Sequence, residues 1–312
     1  MPERLMLLDT AAMYFRAFHG LPDSLKAPDG TSVNAVRGLL DAIARLVGEY
    51  EPTDLVACWD ENWRPHWRTA LIPGYKAHRV RRENPDGVDV EEIPELLEPQ
   101  VPVIREVLAA LGIARVGAED HEADDVIGTL ATTSATPVDI VTSDRDLFQL
   151  VDDDAGIRVI NTARGMNRIE VVTAAVIRDK YGIDAAQYAD FAVLRGDTSD
   201  GLPGVAGVGE KTAAGLIADH GDLDGVIAAA ADDGSGMSRG ARAKIIDAAD
   251  YLAAAAPVVR VVRDLDLGLD LGGGDARLRP VTGERRASVD ALGEQWNLGG
   301  SVDRILTALD TR

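Results

Sequence analysis

Three short acidic clusters carry the chemistry legible in this 312-residue sequence: Glu122–Ala–Asp124–Asp125, Thr142–Ser–Asp144–Arg–Asp146 and Gly196–Asp197–Thr–Ser–Asp200. On a helix Glu122 and Asp125 lie three apart and share a face, while Asp144 and Asp146 at a strand exit can present both carboxylates to one side. Taken singly, acids in a first helical turn serve as dipole partners, and Asp197 or Asp200 as turn residues. With Asp9 and Asp60 added, nine carboxylates gather with no lysine or histidine inside their motifs. In one cleft they would repel each other and raise their own pKa values unless something positive sat among them. Divalent cations would supply that charge: all-oxygen ligands suit Mg2+ or Mn2+, and the lack of a cysteine–histidine cluster argues against structural zinc. Two such ions about 4 Å apart can activate a water and stabilise the leaving oxygen of a phosphodiester. The residue types favour metal-dependent phosphoryl transfer.

Directly after the third cluster, Gly204–Val–Ala–Gly207–Val–Gly209–Glu–Lys211–Thr212–Ala opens a helix. Glycines let a backbone come close to a phosphate, and free amides at a helix start point toward it. The Walker spacing is missing, so an ATP site is disfavoured and a grip on a nucleic-acid backbone is the better reading. A second basic feature lies between Asn62 and Arg82, where no acid occurs and Arg64, Arg68, Lys76, Arg79, Arg81 and Arg82 cluster with Trp63, Trp67 and Tyr75. That window suits either nucleic-acid contact or a solvated helix face with core tryptophans.

These side chains need positioning. Leu5–Leu8 and Leu55–Trp59 read as strands leading into Asp9 and Asp60, and Val138–Val141 leads through Thr142 and Ser143 into Asp144. Open α/β sheets bind ligands outside the carboxyl ends of their strands, so the acids should converge there. Val33–Val47, Val101–Leu111 and Asp125–Leu130 have helical apolar spacing, and Ile157–Ile160 reads as another strand. Past Tyr181 strand signals thin out and short helices with glycine turns take over, as at Tyr188–Leu194, Thr212–His220 and Arg239–Ala256. Asp264–Gly274 reads as a connecting or edge segment. The expected division is an α/β domain over 1–185 and, over 186–312, a helical nucleic-acid-binding domain together with a C-terminal segment.

Composition bounds the remaining choices. Hydrophobic residues at 46% and charged residues at 27% describe a globular chain, and no apolar run approaches the roughly 18 residues of a membrane span. The start reads poorly as a signal peptide, so a cytoplasmic location is expected, and the single Cys58 agrees with a reducing compartment. A net charge of −20 argues at first sight against DNA as a partner, but the local basic window matters more than the sum.

In joint order these motifs resemble the 5′ nucleases, the flap endonucleases and the 5′–3′ exonuclease domain of bacterial DNA polymerase I. The resemblance runs from Leu7–Asp9 to Ile305–Leu306, and with no polymerase domain after Arg312 it is to a stand-alone form. It implies a PIN-like, mostly parallel sheet with flanking helices and a helical arch around 75–110, and a smaller helix-turn-helix domain. All nine acids would hold metals, one site drawing on Asp9, Asp60, Glu122 and Asp124 with Asp125 nearby, the other on Asp144, Asp146, Asp197 and Asp200. Lys76 would contact the scissile phosphate, Arg79 would assist, and Tyr75 could stack on a terminal base. The turn with Gly204, Gly207, Gly209, Lys211 and Thr212 would grip duplex backbone and often holds a potassium ion in that family. The implied substrates are DNA with 5′ ends or flaps, with RNA-primed DNA possible, acted on by a monomer without a nucleotide cofactor. An acidic run from Asp86 to Glu98 departs from the family's arch. A PIN-type ribonuclease, which lacks the duplex grip, and a DNA-binding protein without catalysis are the rival readings.

Overall fold

The computed structural model describes residues 3–84 and 87–312. Alternating apolar runs and helices build a six-stranded sheet, with strands β1 (Leu5–Asp9), β2 (Asp54–Cys58), β5 (Ala114–Val116), β6 (Val138–Thr142), β7 (Ile157–Asn161) and β8 (Glu170–Val172). Its order is β5-β2-β1-β6-β7-β8, parallel except for β8, and a separate ribbon pairs β3 (Val80–Arg82) with β4 (Val90–Glu91). The chain winds outward from β1 through β2 to β5, then returns to lay β6 on the other side of β1. That reversal leaves a crevice at the carboxyl ends of β1 and β6, where Asp9 and Asp144 stand.

Strand alternation feeds two cores. Leu5 and Leu7 face one side of β1 and Met6 and Leu8 the other. On the first side lie α5 (Ala123–Thr133), α6 (Ala174–Tyr181) and α7 (Tyr188–Arg195), followed by α8 (Glu210–His220), α9 (Leu223–Ala231), α10 (Arg239–Asp247) and α11 (Ala249–Val259). The second is covered by α2 (Asn34–Tyr50) and α4 (Gln100–Leu111), while α1 (Thr10–Gly20) runs from the end of β1 and short α3 (His66–Leu71) follows β2. The helix expected over Arg239–Ala256 is two, broken at Ala248. Among the described residues no helix is long and apolar enough to cross a membrane.

Two expectations need correction. Where a helical arch is expected over 75–110, the chain makes a single 3-10 turn at Ala77–Arg79, then the β3–β4 ribbon, and α4 begins only at Gln100. Pro94 and Pro99 interrupt any helix ahead of α4, and β-branched Val80, Val88 and Val90 favour extended backbone. Asp86, at the head of the acidic run, lies outside the described residues. The second concerns the C-terminal segment within 186–312, which the expected division groups with the helical domain. Its last helices, α12 (Gly283–Gln295) and α13 (Gly300–Leu309), leave the helical region and pack on α4 and α2 of the α/β core. Val302, Ile305, Leu306 and Leu309 bury the apolar stripe of α13, and Arg304 grips Asp41 of α2 with bonds of 2.8 and 2.9 Å. The Asp264–Gly274 segment is a connector, lying after a stretch pinned to α5 where Val262 donates to Asp125 and Thr129 to the Val262 carbonyl.

Candidate active site

Local rules put the acids in place. Asp9 ends β1 and caps α1, one oxygen accepting from the Ala12 amide at 3.1 Å and the other from the Thr142 hydroxyl at 2.7 Å. Thr142 also accepts from the Asp144 amide at 2.9 Å, and Asp144 in turn accepts from the Asp146 amide at 2.8 Å. Asp60 accepts from the Ala123 amide at 2.9 Å, joining the end of β2 to the start of α5. Glu122 and Asp125 form a reciprocal capping box at that helix start. Asp197 closes its own turn by accepting from the Ser199 amide at 2.8 Å.

Asp9, Asp60, Glu122, Asp124, Asp144 and Asp197 line one cleft of about 680 Å³, together with Lys76, Arg79, Arg105 and Arg145. Asp146 and Asp200 stand behind its wall, 8% and 9% exposed. The ninth predicted ligand is different. Asp125 is fully buried, takes bonds of 2.7 and 2.9 Å from Arg68 and a third of 2.9 Å from the Val262 amide. Its charge and lone pairs are spoken for, so Asp125 is a structural partner rather than a metal ligand. Glu122 is also internally compensated, by Arg68, by Lys76 and by the Tyr75 hydroxyl at 2.8 Å.

Electrostatics divides the cluster along the same line. Burial opposes ionisation of Glu122, but Lys76 and Arg68 override it and hold its carboxyl below the usual range. Asp9 is pushed up to about 7 by burial and by the neighbouring carboxylates of Asp60 and Asp144, against the Thr142 bond. Asp124 and Asp146 rise well above normal, and Asp60 and Asp144 rise too, burial leading in each case and nearby acids adding to it. Buried Asp146 Oδ1 finds no hydrogen-bond partner. Among the described residues no three of the acids close into a ready-made cage. Mutual repulsion, an orphaned carboxylate oxygen and an all-oxygen donor set together fit hard divalent cations of the Mg2+ or Mn2+ type.

A stability test follows from the signs. A carboxyl whose folded pKa is raised binds protons more tightly in the folded chain, so it destabilises progressively as pH climbs from its unfolded value through its folded one. In chelator, the protein should unfold at a lower temperature at pH 8 than at pH 5.5, with Asp9 titrating near 7. Saturating Mg2+ should reverse the slope by binding the ionised form; a slope identical with and without metal would contradict a shared site.

The basic window does two jobs. Arg68 is 2% exposed and also donates to the Val258 carbonyl of α11 at 3.1 Å, and Arg64 bonds the carbonyls of Tyr75 and Pro73 at 2.6 and 2.7 Å. Those two arginines hold structure together. Lys76 and Arg79 face the cleft, Arg79 bonding the Ser199 carbonyl at 2.7 Å and Asp200 at 3.2 Å. Lys76 has left-handed backbone, φ 49°, and its amide donates to the Asp200 carbonyl at 2.9 Å. Gly201 is required beside it, since a Cβ there would lie 2.5 Å from the Gly74 carbonyl. Tyr75, expected to stack on a base, is only 4% exposed and its ring is packed in the core, so that role is corrected.

The glycine turn behaves as a turn must. Gly204 and Gly207 have φ of 68° and 71°, and a Cβ on Gly204 would lie 2.5 Å from the Arg195 carbonyl. Gly209 caps α8 without a side-chain bond, leaving its first amides beside exposed Lys211 and Thr212. Lys244 donates to the Gly207 carbonyl at 2.8 Å, so a cationic group already lies on this turn. Residue patterns had pointed to neither Lys244 nor the structural use of Arg68, because nothing in a sequence separates a buried arginine from a surface one.

A family model described as the 5′–3′ exonuclease N-terminal resolvase-like domain matches residues 4–182, and another, the 5′–3′ exonuclease C-terminal SAM fold, matches 183–281. A 5′–3′ exonuclease of Streptomyces coelicolor is 56% identical over 304 residues, spanning 97% of this chain and 99% of that one. One from Mycobacterium tuberculosis is 47% identical, spanning 100% and 99%. A crystal structure of the T5 D15 protein with metal ions superposes with a TM-score of 0.64 over 98% of this chain and 100% of that one, at 16% identity, a likeness of fold alone. Two domain matches in tandem, a relative above half identity along its whole length, and acids gathered at the sheet's crevice lead to one statement: the chain belongs to the 5′–3′ exonuclease family.

Proposed function

We propose that this protein hydrolyses phosphodiester bonds of DNA at 5′ ends and 5′ flaps, with two or more Mg2+ or Mn2+ ions, in primer removal, replication and repair. The observation that carries the reading is that six of the nine predicted carboxylates face one cleft with Lys76 and Arg79 on its wall. Bound divalent ions would supply charge neutralisation and activation of water. Asp9, Asp60, Glu122, Asp124, Asp144, Asp146, Asp197 and Asp200 would hold them. Lys76, on its strained backbone, would meet the scissile phosphate and support the charge that develops there, with Arg79 beside it. Gly204, Gly207, Gly209, Lys211 and Thr212 would grip duplex backbone through amides and charge without reading bases. Carbonyls of that turn would hold a K+ ion, and Lys244, which already donates to the Gly207 carbonyl at 2.8 Å, would compete with it. The site needs no second chain and no nucleotide cofactor in this reading, and a cytoplasmic monomer is its simplest form.

The test is cleavage of a 5′-labelled double-flap DNA and its RNA-tipped twin with Mg2+, Mn2+ or chelator. Metal-dependent release near the junction supports the reading, and binding without cleavage under every metal would leave a structure-selective binding protein. Lys76→Ala should slow single-turnover cleavage about 100-fold, the scale of one lost charge-stabilising donor, while changing substrate affinity little. Equal loss in rate and affinity would make Lys76 a binding residue only.

A further inference from the structure

The β3–β4 ribbon brings Glu91 into the cleft, which with Glu98 makes two lining carboxylates from outside the nine predicted ligands. Glu91 lines it together with Val90 and Ile93, on the wall that also carries Lys76 and Arg79. Among the described residues its carboxylate makes no hydrogen bond and no ion pair, unlike Asp89, which is bound to Arg64, or Glu98, which lies 3.8 Å from Arg81. The ribbon is held down over the cleft. Val80 pairs with Glu91, the Glu92 amide donates to the Arg79 carbonyl at 2.7 Å, and Trp63 Nε1 donates to the Asp89 carbonyl at 2.8 Å. Glu91 thus shares its space with the two cations expected to receive a phosphate, feeling both at a distance but bonded to neither.

We propose that Glu91 is a specificity-determining residue that disfavours long single-stranded 5′ flaps relative to short 5′ ends. The inference rests on the 5′-nuclease reading above and deepens it. A substrate with one unpaired nucleotide brings little more than its scissile phosphate into the cleft. A long flap must carry further phosphates past the ribbon, and each one meets the Glu91 charge across a partly dehydrated gap, where like charges repel several times more strongly than in water. Salt screens such repulsion within roughly 10 Å at 0.1 M, so the discrimination is set by ionic strength.

The experiment compares kcat/KM for a one-nucleotide flap and a long oligothymidine flap, in Mg2+ at about pH 8, above the value of about 7 to which burial pushes the Glu91 carboxyl. Wild type and Glu91→Gln are assayed at low and high salt. Near-isosteric glutamine keeps the shape and removes the charge. The long-to-short ratio should rise about fivefold in Glu91→Gln at low salt, and the gap between the two proteins should close at high salt. An unchanged ratio, or an equal change on both substrates, overturns the proposal while leaving the nuclease reading standing. Cleavage of neither substrate by wild type would remove the nuclease reading and this inference with it.

Discussion

Asp144→Asn should abolish metal-dependent cleavage, by about 1,000-fold or more, and leave the protein folded. Asp144 faces the cleft, and its carboxyl is raised by burial and by Asp200 behind it. Loss of several kcal/mol of metal-supplied stabilisation corresponds to a rate loss of about that size. The amide oxygen of asparagine can still accept from the Asp146 amide, the contact that shapes the turn. Removing one negative charge from a group of mutually repelling acids should raise the unfolding midpoint in chelator, so activity and stability move in opposite directions. Single-turnover cleavage and thermal unfolding on the same preparation check this. Normal turnover would exclude Asp144 from the metal site, and a collapsed midpoint would show that it holds the fold instead.

Arg68→Met should be the most destabilising single change at the site, by about 3–5 kcal/mol, because it leaves Glu122 and Asp125 buried without their shared cation. The guanidinium joins three elements: it sits on α3, clamps the start of α5 and reaches the α11 carbonyl of Val258. Arg68→Lys should not rescue it, since an ammonium is a point charge without the planar fork these acceptors need. Adding Asp125→Asn to Arg68→Met should recover part of the loss by removing one of the stranded charges. Denaturant unfolding of the two single variants and the double gives the coupling, and a loss below about 1 kcal/mol for Arg68→Met would show that water solvates the pair after all.

Much of this was legible in the sequence for a physical reason. Asp9, Asp60 and Asp144 each follow an apolar strand, and a parallel sheet leaves its strand ends at one edge, so their convergence followed from pattern alone. The arch did not, because a resemblance transfers an element without its local sequence, and here prolines and β-branched residues turn the same span into a ribbon. Asp125 and Tyr75 were misjudged for a related reason: a motif shows that a carboxylate or a ring is present, and only packing shows that Arg68 or the core already claims it. The docking of α13 on α2 was equally hidden, since an amphipathic stripe announces that it needs a partner without saying which.

That docking has a consequence for where the chain can be divided. Leu39, Leu40 and Ile43 of α2 share one core with Val302, Ile305, Leu306 and Leu309 of α13. Without α12 and α13 that flank of the layer over the sheet would present its apolar side chains to water. Cutting the chain at residue 281, where the second family match stops, would remove both helices and leave that strip prone to self-association. Residues 283–309 are therefore a wall of the α/β core, and a boundary drawn by family resemblance at residue 281 is not a boundary of packing.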